Sequence, residues 1–355
     1  MKDVGRLIVQ IIKIDKYCNI TVVVVLGCDI IMYQNDEHIY FCEGNIPVII
    51  TFPHSGSTKI KGVETRKKGV IHGDDHTDKV AKALMNAFAC NACSIVNNNN
   101  NNNGQKEEES STICNCSIWK ENDAEKEYEM AGHSTNRTCC DFNRSAENAY
   151  ENTVMKQHHD LYHGTIISFI NKAKQLSQNN WQQQQQQQSD DGSDNKPLWS
   201  GRCLLLDMHG QSDCPDHILR GTKNMTTVQP LLQRYGVDAI IGDNSIFGGL
   251  RAREIPIFPE SVPTEYLLSK EKDISSSLPP PPETRSKTSL DQHMEHPRYS
   301  GAYTVVHHAL AHSIDCIQVE IGFHYRLRPQ VIVDLTRRLR DSILTFNKTY
   351  LIPPS

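Results

Sequence analysis

Residues 48–56 read VIITFPHSG, so a short apolar run leads directly into a proline, a histidine and a glycine. Residues 203–206 form a second such run, which continues into the sequence DMHG with His209 at its third position. A third, mostly apolar run at 316–319 ends on Glu320. Short apolar runs bounded by turn residues are typical of buried strands, and in an open α/β sheet ligands bind just beyond the carboxyl ends of the strands. The three runs therefore predict a buried sheet with two imidazoles and a carboxylate at one edge.

The composition is that of a globular chain diluted by polar tracts. Of the 355 residues, 38% are hydrophobic, which is below the usual share for a globular protein. Part of the deficit lies in an asparagine run at 97–103 and a glutamine run at 182–188. The net charge is −5. Because no long basic stripe is present, the sequence favours neither a nucleic-acid partner nor a membrane partner.

The sequence predicts one catalytic domain over residues 38–350, preceded by an N-terminal extension at 1–37. The apolar stretch at 21–32 is interrupted by Asp29 and is too short to span a bilayer, so a β-hairpin is favoured over a targeting segment in this extension. Three segments of the domain are too biased in composition to bury an apolar core, and we expect them to be solvated surface insertions. These insertions lie near residues 97–132, 177–196 and 269–296.

The twelve cysteines are scattered rather than arranged as a disulfide framework, which favours a reducing, cytoplasmic setting. The pairs Cys90/Cys93 and Cys114/Cys116 admit a second zinc site as an alternative. A low-complexity tract separates the two pairs and the second spacing is tight for zinc, so this alternative is disfavoured. The sequence does not indicate an oligomeric state.

Several helices are predicted from apolar residues at helical spacing and from capping residues. One begins at Thr77, Ser145 is expected to cap a long helix toward Leu176, and another spans 302–314. Two histidine pairs are expected on helix surfaces, at 158–159 and 307–308. Because strands and helices alternate, we predict an α/β fold with a mainly parallel sheet that is covered on both faces.

Two histidines and a carboxylate are ligands typical of a catalytic zinc site, which leaves a fourth position to water. His54 and His209 would supply the two nitrogens. Each follows a predicted buried strand and is followed within two residues by a glycine, which lets the backbone approach a bound group closely. A single histidine after a strand usually has a structural role, and finding two weakens that explanation. The segment at 73–78, GDDHTD, offers three carboxylates: Asp74, Asp75 and Asp78.

Glu320 is the candidate general base. A carboxylate at the end of a buried strand is costly unless it is paired, so two interpretations stay open. One is an ion pair with a nearby arginine, such as Arg298 or Arg326. The other is a base whose pKa is tuned beside an activated water molecule.

Arg137 and Arg144 lie in a polar loop before a predicted helix. Arginine binds carboxylates through a planar, two-pronged fork, although a single arginine in a loop is most often a solvated surface residue. Other catalytic signatures are absent from the sequence: there is no Gly-x-Ser-x-Gly nucleophile elbow, and no Walker A or Gly-x-Gly-x-x-Gly motif follows a strand.

Taken in order, these motifs resemble those of the N-formylglutamate amidohydrolase family. The resemblance covers most of the chain outside the insertions and the first forty residues. It implies a fold similar to zinc carboxypeptidases and aspartoacylases, which is a phosphorylase/hydrolase-like, three-layer α/β/α domain around a twisted, mostly parallel mixed sheet. The matching segments are VIITFPHSG at 48–56, DDHTD at 74–78, Arg137 with DFNR at 141–144, LLDMHG at 205–210 and IQVEI at 317–321.

The resemblance also implies a zinc-dependent amidohydrolase that cleaves the amide bond of an N-acyl amino acid, N-formylglutamate being the family's name substrate. His54, Asp74 and His209 are then the ligands of one Zn²⁺ ion per chain. Glu320 is then the general base that acts on water.

The resemblance implies that the polar loop with Arg137 and Arg144, here called the arginine loop, binds the substrate. Asn143 and Arg144 would take the carboxylate of the amino acid, and Arg137 would polarise the scissile carbonyl. The expected partner is therefore a small N-acyl amino acid. Two alternatives stay open, namely an aspartoacylase-like deacylase of a different N-acyl amino acid and a non-catalytic relative that binds a metal or a ligand.

Overall fold

The structure is a computed structural model, and it describes residues 22–25, 31–36, 39–43, 46–56, 59–98, 136–187, 202–263 and 294–352. The predicted insertions at 97–132 and 269–296 lie largely outside these ranges, as do Cys114 and Cys116 of the alternative zinc site. Within the ranges, no helix combines the length and the apolar character needed to cross a membrane.

Eight strands of the described chain form one sheet in the order β2-β3-β1-β4-β5-β8-β6-β7. They are β1 Val22–Val25, β2 Ile31–Asp36, β3 Ile39–Glu43, β4 Val48–Thr51, β5 Leu204–Gln211, β6 Ile218–Gly221, β7 Ile257–Phe258 and β8 Asp315–Gly322. From β4 to β7, every neighbouring pair is parallel except the antiparallel pair of β6 and β8. Beyond β4, β1 is antiparallel to β4 and parallel to β3. The chain is therefore a mixed α/β protein, as predicted, and the part of the sheet with described side chains is mostly parallel.

Eight α-helices accompany the sheet within the same ranges. They are α1 Thr77–Asn98, α2 Ala146–Ala149, α3 Met155–Gln187, α4 Gln229–Tyr235, α5 Asp238–Ile241, α6 Ile246–Arg251, α7 Tyr303–His312 and α8 Pro329–Phe346. Short 3-10 segments lie at Thr226–Val228 and Phe323–Arg326, and a π-helical turn follows α8 at Asn347–Leu351. The start of α1 agrees with the predicted helix start.

The prediction of one long helix from Ser145 toward Leu176 is wrong, because the chain is helical in two pieces, α2 and α3. The break spans residues 150–154, where Tyr150 has an extended backbone and Asn152 precedes the second helix. The side-chain oxygen of Asn152 accepts the backbone N–H of Val154 at 3.0 Å, and its carbonyl accepts that of Met155 at 3.0 Å. An asparagine that hydrogen-bonds to the neighbouring backbone competes with helical hydrogen bonds, so a new helix starts after it.

Helix α3 is longer than predicted at its other end. It continues to Gln187, whereas a solvated loop was expected from residue 177. Glutamine is a good helix former, so a tract that cannot build a core can still extend an existing helix. The first part of the predicted insertion at 177–196 is therefore helical.

Successive residues of β4 face two separate apolar clusters. Val48 and Ile50 pack with residues of α1 and α8, whereas Ile49 packs with residues of α3 and α7. In β5, Leu206 belongs to the first cluster and Leu205 to the second. Because alternate side chains of a strand point to opposite faces of the sheet, helices cover both faces beside these two strands.

Asp315, the first residue of β8, is expected to make the stability of the fold depend on pH. Its side chain is buried and accepts the backbone N–H of Leu231 in α4 at 2.9 Å. Burial raises the pKa of this carboxyl from 3.8 to about 7. Between these pH values the folded state holds a proton that the unfolded state has lost, so the contribution to stability falls as the pH rises.

We expect Asp315→Asn to remove this slope and to raise the free energy of unfolding at pH 7.5 by up to about 4 kcal/mol. Urea unfolding of both proteins at pH 4.5, 6 and 7.5 measures the difference between them, in which the other titrating groups cancel. Parallel dependence of the two proteins on pH would contradict this assignment.

Candidate metal centre

The sheet register brings the predicted site residues to one edge. On β5, Asp207 is opposite Thr51 of β4, and the next residue on the same face, His209, is opposite Glu320 of β8. Both β5 and β8 run further than their apolar sequences predict. His209 and Glu320 therefore lie within the strands rather than after them. His54 follows three residues after the end of β4.

The two histidines and Asp74 converge on one point. His209 Nδ1 lies 3.0 Å from His54 Nδ1 and 3.0 Å from Asp74 Oδ2. His54 Nδ1 lies 3.3 Å from the same carboxylate oxygen. These three residues form a group that could hold a metal ion. Of the carboxylates in segment 73–78, Asp74 is thus the one that the structure brings to the histidines.

The spacing of these three atoms fits a small metal ion. Nitrogen and oxygen ligands about 2.1 Å from a tetrahedral ion lie about 3.4 Å from one another, close to the 3.0–3.3 Å observed. Two imidazole lone pairs and a carboxylate oxygen at this separation repel one another unless a positive charge lies between them. The donor set is therefore suited to a cation.

Two buried carboxylates set the orientation of both imidazoles. His54 Nε2 lies 2.7 Å from Asp141 Oδ1, and His209 Nε2 lies 2.9 Å from Asp207 Oδ2. A carboxylate accepts the Nε2 hydrogen and so leaves the Nδ1 lone pair available to a metal, an arrangement common around histidine ligands. Thr51 Oγ1 in turn donates to Asp207 Oδ1 at 2.5 Å.

The electrostatics of the cluster also favour a positive charge near the Nδ1 atoms. Burial lowers the pKa of His209, but the nearby carboxylates of Asp207, Asp74 and Glu320 together outweigh burial, and the pKa is raised well above its usual value. Burial raises the pKa of Asp74, but the neighbouring imidazoles of His54 and His209 hold that pKa well below its usual range.

Asp207→Asn is expected to weaken metal binding about 10- to 100-fold, the range typical of such outer partners of histidine ligands. The amide has no negative charge to hold the Nε2 hydrogen of His209. Titration with Zn²⁺ against a competing chromophoric chelator measures the affinity. Thr51→Ser, which keeps the hydroxyl that binds Asp207, is the matched control. Equal affinities of Asp207→Asn and the wild type would show that Asp207 does not support a ligand.

The arginine loop lies directly beside this cluster. Arg137 is buried and its Nε and Nη2 each lie 2.9 Å from Asp141 Oδ2. Its Nη1 donates to the His72 carbonyl at 3.3 Å and lies 3.8 Å from Asp74 Oδ1. The guanidinium of Arg137 thus binds Asp141, the same carboxylate that binds His54. The contact of Arg137 with a substrate carbonyl stays a prediction.

Asn143 and Arg144 differ in how accessible they are. Asn143 is buried, with Nδ2 at 3.0 Å from His209 Nε2 and Oδ1 accepting the backbone N–H of Thr304 at 2.8 Å. The side chain of Arg144 is 38% exposed, and its Nη1 donates to the Asn143 carbonyl at 2.9 Å. Of the two predicted substrate-binding residues, Arg144 is the one whose charge reaches solvent.

Glu320 is buried and its orientation is fixed by Gln318. Gln318 Oε1 accepts the backbone N–H of Ala302 at 2.8 Å, so Gln318 Nε2 faces Glu320 Oε1 and donates to it at 2.7 Å. Burial raises the pKa of Glu320 to about 7. A carboxylate with this pKa is half-ionised near neutral pH, which suits a general base.

An ion pair does not explain Glu320 in the part of the chain that the structure describes. Arg298 Nη1 instead lies 2.8 Å from Asp213 Oδ2. The guanidinium of Arg326 donates to backbone carbonyls, at 3.1 Å to Ile321 and 3.2 Å to Gln211. Neither arginine therefore lies within ion-pair distance of Glu320 among the described residues, and Arg326 attracts Glu320 only at longer range.

Three residues of the site lie in the quoted motifs but were given no role from the sequence: Asp141, Asp207 and Gln318. Asp207 and Gln318 each lie two residues before a predicted site residue on a strand, so the two-residue period of strands places them on the same face. That signal was present in the sequence. Asp141 reaches His54 across 87 positions of the chain, and no local pattern marks such a contact.

The expectation that residues 158–159 and 307–308 lie on helix surfaces is wrong for three of the four histidines. His158, His159 and His308 are buried, and His307 is half-buried. A neutral imidazole can be buried when its N–H finds an acceptor, and helices α3 and α7 pack these faces toward each other in the second apolar cluster.

No protein-family model, curated protein or solved structure matches the chain.

Proposed function

We propose that this protein is a metal-dependent hydrolase that cleaves the amide bond of an N-acyl amino acid. The observation that carries the proposal is the convergence of His54 Nδ1, His209 Nδ1 and Asp74 Oδ2 within 3.0–3.3 Å of one another, with Glu320 beside His209 on the neighbouring strand. Three protein ligands leave a coordination position open, as at catalytic zinc sites.

The ligand types favour zinc as the metal. Imidazole nitrogens with one carboxylate are typical zinc ligands, although ligand type alone leaves other divalent ions in competition. When bound, the ion would supply Lewis acidity that activates water and polarises a carbonyl oxygen. The helices on both faces of β4 and β5 are consistent with the three-layer arrangement of zinc carboxypeptidases and aspartoacylases.

Glu320 would transfer the proton in this reaction, and three other residues would position the reacting groups. Glu320 takes a proton from the attacking water at its carboxylate, and then delivers that proton to the nitrogen of the leaving amine. Gln318 keeps the carboxylate in place through its hydrogen bond at 2.7 Å. Asp141 and Asp207 hold the Nε2 hydrogens of the two histidines, so that both Nδ1 atoms stay free to bind the ion.

Arg144 indicates that the substrate carries a carboxylate. Its guanidinium is partly exposed beside the cluster and would bind the carboxylate of the amino acid. This contact would hold the scissile amide in the reactive orientation and so raise the rate of the reaction. A substrate with a carboxylate next to the scissile amide agrees with the resemblance to N-formylglutamate amidohydrolases. The size of the acyl group distinguishes an N-formyl substrate from substrates with larger acyl groups.

The test is a product screen with metal analysis on the full chain. The purified protein is incubated with N-formyl, N-acetyl and N-succinyl derivatives of glutamate and aspartate, before and after chelation and after Zn²⁺ is restored. Metal-dependent release of one free acid supports the proposal and identifies the acyl group. Binding of zinc without release of any acid would instead support a metal-binding protein without catalysis.

A further inference from the structure

Helices α3 and α7 meet through a row of imidazoles that the proposed chemistry does not use. His159 and His163 lie one helical turn apart on α3, and His308 and His312 lie one turn apart on α7. His159, His163 and His308 are buried, the last completely. The ring centroids are 4.5 Å apart between His159 and His163, and 5.3 Å apart between His163 and His308.

The hydrogen bonds of this row run in one direction. His163 Nε2 lies 3.1 Å from the Phe142 carbonyl oxygen, and because a carbonyl only accepts, Nε2 carries the hydrogen. Burial lowers the pKa of His163 to about 3, so its ring is neutral at neutral pH and its Nδ1 is an acceptor. His308 Nε2, at 3.0 Å, therefore donates to His163 Nδ1.

The other nitrogen of His308 agrees with this assignment. His308 Nδ1 is buried and has no hydrogen-bond partner among the described residues. A hydrogen on Nδ1 would leave a buried donor unsatisfied, which costs more than leaving a weak acceptor unpaired. Burial lowers the pKa of His308 to about 2, so this ring is also neutral. The row thus runs from His308 through His163 to the Phe142 carbonyl.

A second imidazole holds the same loop. His159 Nε2 lies 3.0 Å from the Arg144 carbonyl oxygen. Helix α3 therefore binds the two carbonyls on either side of Asn143. The side chains of Asp141 and Asn143 in this loop point to the metal centre, because Asp141 binds His54 and Asn143 contacts His209.

We propose that His163, held in place by His308, is a positioning residue for the metal centre, and that it sets metal affinity by fixing the loop at 141–144. The inference rests on the proposed metal site. The loop supplies Asp141, the acceptor of the His54 Nε2 hydrogen, so a displaced loop removes the support of one ligand histidine directly. His163 itself touches neither ligand, and its effect is transmitted through the Phe142 carbonyl.

The test compares two substitutions of similar size in the full chain. His163→Gln keeps an N–H that can reach the Phe142 carbonyl, whereas His163→Leu cannot donate. We expect His163→Leu to bind Zn²⁺ about tenfold more weakly than the wild type, and His163→Gln to stay within about twofold. The absorption spectrum of the Co²⁺-loaded protein reports the ligand geometry and should change in His163→Leu alone. His312→Asn, at the outer end of the row, is the control and should behave as the wild type.

The outcomes separate the two proposals. If the wild type binds no Zn²⁺, the metal site and this inference both fail. If the wild type binds Zn²⁺ and His163→Leu binds it equally well with the same Co²⁺ spectrum, this inference alone is overturned. Should His163→Leu not fold, His159→Leu tests the same loop through the Arg144 carbonyl, and unchanged affinity there would overturn the inference.

Discussion

Replacement of Glu320 by glutamine is expected to lower the rate of the proposed amide hydrolysis about 10³-fold, within the range usual for loss of a general base, and to leave the binding of Zn²⁺ unchanged. The amide keeps the size of the carboxylate and can still accept the hydrogen bond from Gln318, but it cannot take a proton from water. Because Glu320 is not among the three residues that converge on the metal position, binding of the ion should survive.

The measurement pairs initial rates on the substrate found in the product screen with metal analysis of the same samples. Glu260→Gln is the matched control, because Glu260 is an exposed glutamate on the surface of the same domain. Activity retained in Glu320→Gln would remove Glu320 from the mechanism. Loss of the metal in that variant would make Glu320 a ligand or a structural residue instead.

The second large effect is expected at Asp141. Asp141→Asn should reduce the free energy of unfolding by about 3–5 kcal/mol, the cost typical of breaking a buried ion pair. Asp141 Oδ2 binds Arg137 Nε and Nη2 at 2.9 Å, and Arg66 Nη1 lies 3.8 Å away. The amide would leave two buried guanidinium groups facing a group without charge.

The pH dependence of this pair has a definite sign. Burial raises the pKa of Asp141, but the interaction with His54, together with the charges of Arg137 and Arg144, outweighs burial and holds the pKa well below its usual value of 3.8. Because the folded-state pKa is depressed, the stabilisation is fully present above about pH 4 and is lost as the pH falls further. The difference between wild type and Asp141→Asn should therefore shrink in acid.

Chemical unfolding at pH 7, without added metal, measures the effect of Asp141 on the fold alone. Asp160→Asn is the control, because Asp160 pairs with Lys156 on the exposed surface of α3 and such pairs contribute less than about 1 kcal/mol. If the two variants unfold alike, the buried pair does not stabilise the protein. A Zn²⁺ titration of Asp141→Asn should in addition show weaker binding, since His54 loses the acceptor of its Nε2 hydrogen.

The sequence predicted the parts of the site that depend on local patterns. The apolar runs before His54, His209 and Glu320 became neighbouring strands, because short runs of buried residues bounded by turns are encoded within a few positions. The strand ends were misplaced for β5 and β8, since polar side chains such as Asp207 continue the strand when neighbouring strands satisfy them. A criterion based on hydrophobicity stops too early at such positions.

The contacts between distant segments could not be predicted in this way. Asp141 binds His54 across 87 positions, and His163 binds His308 across 145 positions. In both cases the partner is known only once two elements have packed. The buried histidines of α3 illustrate the same limit, because a histidine on a helix gives no local sign of whether its N–H will meet solvent or a carbonyl.

Helix α3 joins the loop beside the metal centre to the glutamine tract. His163 lies near its beginning, and the tract starts at residue 182, which at 1.5 Å per residue is about 28 Å further along the axis. A gain or loss of glutamines would change the length of α3 beyond Ser177, whose hydroxyl donates to the Leu351 carbonyl and accepts the Arg202 backbone N–H. We therefore expect variation in the number of glutamines to leave the affinity of the candidate site for Zn²⁺ unchanged.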